Sequence, residues 1–455
     1  MPELAQAERV HLVGIGGSGM SALASLLLRM GRAVSGSEVS PGVVTERLRQ
    51  EGATIYTGHA ANNVGKADYV VRSSAVPADN PEVIEAERRG LESKKLAEAV
   101  GELMRGRSGV AVAGTHGKTT TTALVTWLLQ WGGVDPLALI GGDLPAFPLG
   151  ARAGDGPMVV EADEYDRRFL EYWPDVAVVT SIEPDHLDYY RDLAEIRGAF
   201  QELIGRLPGH GRFVVCADDG CAMTLQTAAE RQTYGFMPGA DWHLSEYVAV
   251  QDGGSRFTLT VDGRSWAVES PLVGEHNACN LAAAVAVADY FGVGLRTSLA
   301  ALRSFDGPRR RFETKGRPRG IWVVDDYGHH PTEVAAVLRA ARAAAEGEVW
   351  VVFQPHTTNR TAALLDEFAA AFGDAQHALI LPIYRPSGRE VAARAVSSED
   401  LVQRLAGHAD ARFVESFDAA ARAVKDSARA GDVVLTMGAG DVTRLSDLLV
   451  AELGR

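Results

Sequence analysis

In AGTHGKTTTT at 113–122, strand-like VAVA runs into the helix-like ALVTWLLQ through a turn that carries two glycines and a lysine. Gly114 and Gly117 allow backbone N–H groups to curl round an anion at a helix N-terminus. Lys118 can reach β/γ phosphates and the Thr119 hydroxyl can meet Mg²⁺, which points to ATP or GTP. The strict G-x-x-x-x-G-K-[ST] form is not kept, since Val112 and Ala113 stand where its first glycine would be. Glu161, Asp163, Glu164 and Asp166 follow the apolar MVV run; a strand-end carboxylate beside a phosphate loop is where an NTPase holds its metal, although four acids there also suit a solvated turn. SIEPDHLDYY adds Asp185, His186 and Asp188 after another strand. GEHNACN sets His276, Asn277 and Asn280 at a helix start, with the two asparagines three apart on one face, able to meet a purine edge or to cap the helix. DDYGHHPTEV supplies Asp325, Asp326, His329 and His330, and FQPHTTNRT supplies His356 and Arg360, both at carboxyl ends of strands, where open α/β sheets bind ligands. The paired histidines have no spaced partner set for zinc.

A second glycine loop stands earlier. In HLVGIGGSGMSA at 11–22, Gly14, Gly16 and Gly19 fall on the G-x-G-x-x-G spacing, and Glu38 ends the second strand, where a dinucleotide fold puts an acid for ribose hydroxyls. These residues alone leave NAD open, and they raise the question of why one chain carries two phosphate-type loops.

The elements that must position these groups alternate short apolar strands (VHLV, AVSG, DYVVRSS) with helical stretches from Val10 to about Arg105, the pattern of a parallel sheet wrapped by helices. The alternation restarts at VAVAG and continues through MVVEAD, VAVVTS and FVVCAD. Between 248 and 269, two Asp-Gly turns separate runs of alternating character, which predicts antiparallel hairpins. After the Arg-rich segment 307–320, strands at IWVVDDY, VWVVFQP, HALILPIY and DVVLTMG form a third α/β unit. The 455 residues exceed one core, and 46% hydrophobic with 23% charged residues is the balance of a folded globular chain. A net charge of −14 disfavours nucleic acid as main partner, so phosphate should be bound locally. Cys216, Cys221 and Cys279 form no C-x-x-C pair, no apolar run reaches membrane-spanning length, and MPELAQAERVHLVG lacks a signal-peptide pattern, so a cytoplasmic location is expected. No lysine lies between Lys118 and Lys315.

Taken in order, GIGGSGM, GTHGKTTTT, EADEYD, EPDH, GEHNACN, RRRF, DDYGHHPTE and FQPH resemble the Mur ligase superfamily across nearly the whole chain. The resemblance implies an α/β fold of three domains: a Rossmann-like UDP-sugar-binding domain (1–106), a central P-loop ATPase-type domain with a β-rich insertion (107–308), and a Rossmann-like C-terminal amino-acid/ATP-closing domain (309–455). It answers the two-loop question, because a UDP-sugar and ATP each need a phosphate site. It implies an ATP- and Mg²⁺-dependent ligase of peptidoglycan precursor synthesis that works through an acyl phosphate. UDP-N-acetylmuramate and L-alanine are then the partners, with neither nucleic acid nor membrane, in a monomer or homodimer.

Carried over by position, Lys118, His329, His356 and Arg360 are catalytic. Gly114, Thr115, His116, Gly117, Lys118, Thr119 and Thr120, with His276, Asn277, Asn280 and Asp326, bind ATP. Gly16, Gly17, Ser18, Gly19 and Met20, with Ser37, Glu38, Ser73 and Ser74, bind the UDP-sugar. Thr119, Glu161 and His186 hold the metal. The absence of a further lysine removes the carbamylated lysine of other branches, as in the alanine-adding one. Two positions depart from the family's common pattern: Ser181 stands in place of Asn, and Thr357 in place of Arg. The rival readings are a ligase that recycles a preformed peptide, an NAD-dependent oxidoreductase, which leaves the GKT loop unexplained, and a non-catalytic NTP switch, which leaves DDYGHH and FQPH unexplained.

Overall fold

The computed structural model describes residues 3–187, 189–251, 253–385 and 396–455. Three sheets carry the fold. The first has five parallel strands in the spatial order Thr54–Thr57, Ala33–Glu38, Arg9–Val13, Tyr69–Arg72, Ser93–Lys95. Its three inner strands are those expected from the apolar runs. The two outer ones, TIYT and SKK, are short, polar and half-exposed, and no apolar run marks them.

The second sheet follows the order Arg264–Ser270, Ser255–Val261, Trp242–Ala249, Glu230–Gly235, Arg212–Cys216, Val176–Val179, Gly109–Ala113, Met158–Glu161, Leu137–Leu139, Ala151–Arg152. Pairing is parallel from Trp242–Ala249 through Leu137–Leu139 and turns antiparallel at Ala151–Arg152. The turn between the last two hairpin strands is Asp262-Gly263, with φ of +49° and +70°, as a two-residue hairpin turn requires.

The third sheet runs Glu313–Gly316, Trp322–Asp326, Val433–Met437, Val349–Phe353, His377–Ile380, Asp410–Phe413, parallel except for its first edge. That antiparallel edge strand lies inside the Arg-rich segment 307–320, where no strand was expected. Its residues ETKG show no hydrophobic alternation, and Trp322 Nε1 donates to Thr314 Oγ1 at 3.0 Å across the pair.

Contact density divides the chain into two units. The first holds residues 1–245, 259–266 and 279–302; the second holds 246–258, 267–278 and 303–455. In the first unit the hydrophobic core does not stop near residue 106, where the sequence reading put a boundary. Leu23, Leu26 and Leu103 belong to one buried cluster with Leu137, Phe169 and Phe200. Helix Ser18–Arg29 packs on Leu137–Leu139 and Ala151–Arg152, and helix Leu96–Met104 packs on the turn Tyr165–Glu171. A Cβ on Gly101 would run into the Glu171 carbonyl, and Arg47 forks onto Asp143 with two bonds of 3.1 Å. In the second unit, helix Pro331–Ala344 covers one face of the sheet and helices Phe417–Ser427 and Thr443–Gly454 cover the other. Among the described residues no helix is long and apolar enough to cross a membrane.

Candidate active site

Strand Gly109–Ala113 runs between Met158–Glu161 and Val176–Val179, with Val112 opposite Glu161 and Ala113 opposite Val179. The loop after it therefore opens between two other strand ends. Gly114 has φ +134° and a Cβ there would collide with Thr180, whose hydroxyl donates to the His116 carbonyl. Ser181 braces the same loop, its carbonyl accepting from Thr115 N at 2.8 Å and its Oγ from His116 N at 3.2 Å, while Glu183 N donates to Thr115 Oγ1 at 2.9 Å. Helix Lys118–Trp131 then starts from Gly117, at φ +79°, with no side-chain cap, which leaves its first amides to an anion. Four successive threonines are poor helix formers. The Thr122 and Thr126 hydroxyls donate back to the carbonyls of Lys118 and Thr122, each at 2.8 Å. Asn280, on helix Glu275–Tyr290, accepts from Thr121 Oγ1 at 3.1 Å and stands where a Gly117 side chain would be.

The Lys118 ammonium donates to the carbonyls of Gly114 (2.5 Å) and Thr115 (3.2 Å) and to both oxygens of Glu164 (3.1 and 2.9 Å). Burial works against its charge, but the carboxylates of Glu164, Asp163 and Glu161 outweigh this and its pKa is pushed up to about 12. The four strand-end acids thus divide. Glu164 takes the lysine. Glu161 Oε2 accepts from Gly141 N at 2.9 Å; Asp163 accepts from Tyr165 N at 3.1 Å and faces Arg168 at 3.5 Å; Asp166 sits in a turn at φ +57°.

His186, at φ +54°, lies 4.9 Å from the Tyr165 ring and 3.8 Å from Asp185, and its carbonyl accepts from the amides of Tyr189 and Tyr190 at 2.9 Å. Asp188 is outside the described residues. A hydroxyl at a helix start, Thr119, and a carboxylate on the adjoining strand end, Glu161, are hard oxygen donors of the kind Mg²⁺ takes, and His186 follows the strand on the other side of Gly109–Ala113. Among the described residues no three histidine, cysteine or acid ligand atoms converge within either unit.

The other glycine loop has a different environment. Gly14, at φ +78°, packs against Ser73, and its amide and that of Ile15 donate to the Ser37 carbonyl at 2.9 and 3.0 Å. Helix Ser18–Arg29 starts uncapped at Gly17. Glu38 accepts from Gly16 N at 2.9 Å and from Val39 N at 2.9 Å, so the strand-end acid lies on the loop itself. Two expected sugar-nucleotide residues turn inward. The Ser37 hydroxyl donates to buried Glu82 at 2.5 Å, and the Met20 side chain is in the core, which leaves its backbone amide to a ligand. Ser73 and Ser74 follow the strand Tyr69–Arg72, beside Gly14.

In the second unit, the ends of Trp322–Asp326 and Val349–Phe353 bring His329 and His356 together, ring centres 5.7 Å apart. Tyr327 flanks the first histidine (5.2 Å) and Tyr384 stacks on the second (5.6 Å). His329 Nδ1 lies 3.0 Å from the Tyr327 carbonyl and 3.4 Å from Glu333 Oε2. Burial lowers its pKa to about 3; Glu333 opposes this, and Arg360 and His356 reinforce it. Arg360 rides on the short helix Thr358–Ala363. Thr357, at φ +64°, caps that helix, its Oγ1 accepting from Arg360 N at 3.4 Å. Asp326 is buried and both its oxygens accept backbone amides, Phe312 N and Gly328 N at 2.7 Å, so its carboxylate holds its own loop; burial raises its pKa to about 6, against the nearby Arg311. Neighbouring Asp325 takes the hydroxyls of Thr436 (2.7 Å) and Thr443 (2.6 Å). Asn277 Nδ2 is engaged by the Val273 carbonyl at 2.8 Å, and His276 fills the space beside Gly274. Sequence reasoning missed Tyr384, Thr180 and Glu333. Only Glu333, three residues after the helix-capping His330, carried a signal, as the last member of a capping box.

Three family models match in succession: the Mur ligase family catalytic domain over residues 9–108, the Mur ligase middle domain over 112–288, and the Mur ligase glutamate ligase domain over 310–440. The chain is 42% identical to a UDP-N-acetylmuramate–L-alanine ligase of Chelativorans sp. (strain BNC1), with 98% of each chain covered. The structure of a UDP-N-acetylmuramate-alanine ligase from Thermotoga maritima aligns with a TM-score of 0.82 and 29% identity, over 97% of this chain and 98% of that one. A murein peptide ligase from Psychrobacter arcticus aligns with a TM-score of 0.69 and 27% identity, over 98% and 99%.

Proposed function

This chain belongs to the Mur ligase family, and from that premise we propose that it joins L-alanine to the lactyl carboxylate of UDP-N-acetylmuramate, converting ATP to ADP and phosphate. The observation that carries the reading is the end-to-end likeness to alanine ligases, at 42% identity, with a TM-score of 0.82 against 0.69 for the peptide-recycling relative.

A carboxylate is a poor electrophile, so it must be activated. One of its oxygens attacks the γ-phosphorus, ADP leaves, and an acyl phosphate forms. The alanine amine then attacks the acyl carbon, phosphate departs with that oxygen, and the amine loses a proton. Lys118 and the uncapped amides of its helix offset charge on the transferring phosphoryl group, in a setting that changes little during the reaction. Thr119, Glu161 and His186 would hold Mg²⁺, which would supply neutralisation of the phosphate oxygens. Gly114, Thr115, His116, Gly117 and Thr120 shape the ATP loop, with Asn280 beside it. The resemblance assigns His276, Asn277 and Asp326 to ATP as well. The amides of Gly16 to Met20, with Glu38, Ser73 and Ser74, bind the sugar nucleotide, and Ser37 supports them from behind. In the second unit His329, held neutral, serves as a hydrogen-bonding group, while Arg360 carries the fixed positive charge and His356 orders the ring next to it.

Phosphate release should require both UDP-N-acetylmuramate and L-alanine. With ¹⁸O in the carboxylate, one labelled oxygen should appear in each phosphate. Label in AMP, or release that needs a preformed peptide and not alanine, overturns the reading.

A further inference from the structure

We propose that Glu164 is a positioning residue for Lys118: it competes with the nucleotide's phosphates for the ammonium and thereby sets both the aim of the lysine and the affinity of the loop. The proposal rests on the reading of this loop as the ATP site.

An ammonium has three protons, and four acceptor atoms surround the one on Lys118. Two are carbonyls of its own loop and two are the Glu164 oxygens. Glu164 does not follow the lysine; it is held from its backbone. Its carbonyl accepts from the Tyr190 hydroxyl at 2.6 Å and from Arg167 N at 3.0 Å, and Tyr190 is itself a fully buried side chain. With the lysine in place the carboxylate is 3% exposed, so its charge is compensated by the ammonium and not by solvent. A buried carboxylate that loses its cation is left uncompensated, which makes surrender of the lysine unfavourable. A polyphosphate entering the loop has to share the ammonium with a negative charge of its own sign. That competition weakens binding, and in return fixes the ammonium at the point where the strand end and the helix start meet.

A merely structural glutamate, once replaced, would weaken nucleotide binding and turnover together. Competition predicts that they part. In calorimetric titrations with ADP in EDTA, Glu164→Gln should bind about tenfold more tightly than the unchanged protein, while its kcat falls because the lysine is no longer aimed. Glu164→Asp keeps the charge but draws it back by one methylene, and should bind metal-free ADP more tightly than the unchanged protein and less tightly than Glu164→Gln. It also serves as the test if the glutamine variant does not fold. Equal or weaker ADP binding by the folded variants overturns the proposal. Failure of the unchanged protein to bind ADP overturns the ATP-site reading instead.

Discussion

Lys118 and His329 stand at strand ends in different units, both largely buried, yet one is held charged and the other neutral. Desolvation disfavours the cation in both. Lys118 has a carboxylate spent wholly on it, with two more acids behind, and these reverse the effect of burial. His329 shares Glu333 with the backbone amides of residues 329 and 330, and Arg360 and His356 add positive charge nearby. A lysine and an imidazole also start from ordinary values about four units apart, and burial prevails at His329 whereas the carboxylates prevail over it at Lys118. Under the proposed reaction the difference is apt, since phosphoryl transfer needs a permanent cation and attack by an amine needs surroundings that do not donate protons to it.

The largest effect expected to follow from this contrast is on Lys118. Lys118→Ala should lower kcat for phosphate release by about 10³-fold or more, as loss of a preorganised charge does, while calorimetry shows UDP-N-acetylmuramate binding preserved at the other loop. Near-normal turnover would mean that the held charge has no catalytic use. Next in size, Glu161→Gln and His186→Ala should each shift the Mg²⁺ titration of activity to about tenfold higher metal, and unshifted curves for both would leave the acid cluster as a support for Lys118 alone.

Smaller effects concern stability. The unfolded chain protonates His329 near pH 6.5 and the folded one only near 3, so this residue's contribution is complete above about 6.5 and is lost as the pH falls. His329→Gln should therefore lose about 2 kcal/mol less between pH 6.5 and 4.5 in denaturant titrations, as a ceiling for a side chain 19% exposed. An unchanged slope would show that His329 is not kept neutral. Asp326 has the opposite sign. Its folded pKa of about 6 lies above the unfolded value of about 3.9, so its contribution is complete below about pH 4 and is lost as the pH rises through 6. Asp326→Asn should remove up to about 3 kcal/mol of that decline, partly masked by the amide hydrogen bond it forfeits. Retention of the full decline would place its origin elsewhere.

Much of this was legible beforehand. The phosphate loop, the strand-end histidines, the inner strands of the first and third sheets and, in the second, Gly109–Ala113, Met158–Glu161, Val176–Val179 and Arg212–Cys216 announce themselves through apolar runs, whereas the inner strands Leu137–Leu139 and Glu230–Gly235 of the second sheet were not expected. The division of labour among Glu161, Asp163, Glu164 and Asp166 does not, because past Glu161 the chain leaves the strand for turns in which alternation no longer fixes direction. At the two positions where the resemblance implies other residues, Ser181 braces the loop at Thr115 and His116 and Thr357 caps the helix of Arg360. Asp326 and Ser37 show the converse. Their positions are at the proposed sites, but their side chains are engaged within the protein, Ser37 with Glu82 and Asp326 with the amides of Phe312 and Gly328.

The core that runs unbroken from Leu23 to Phe200 bears on how the chain is born. At about 5–20 residues per second, ribosomes deliver the first hundred residues on the order of ten seconds before the turns and helix that complete their packing. For that interval the nascent chain presents apolar helix faces with no partner, a period in which chaperone capture and aggregation compete with growth. Codon changes that hasten or delay residues 110–200 should then alter the yield of folded protein without altering one atom of the product.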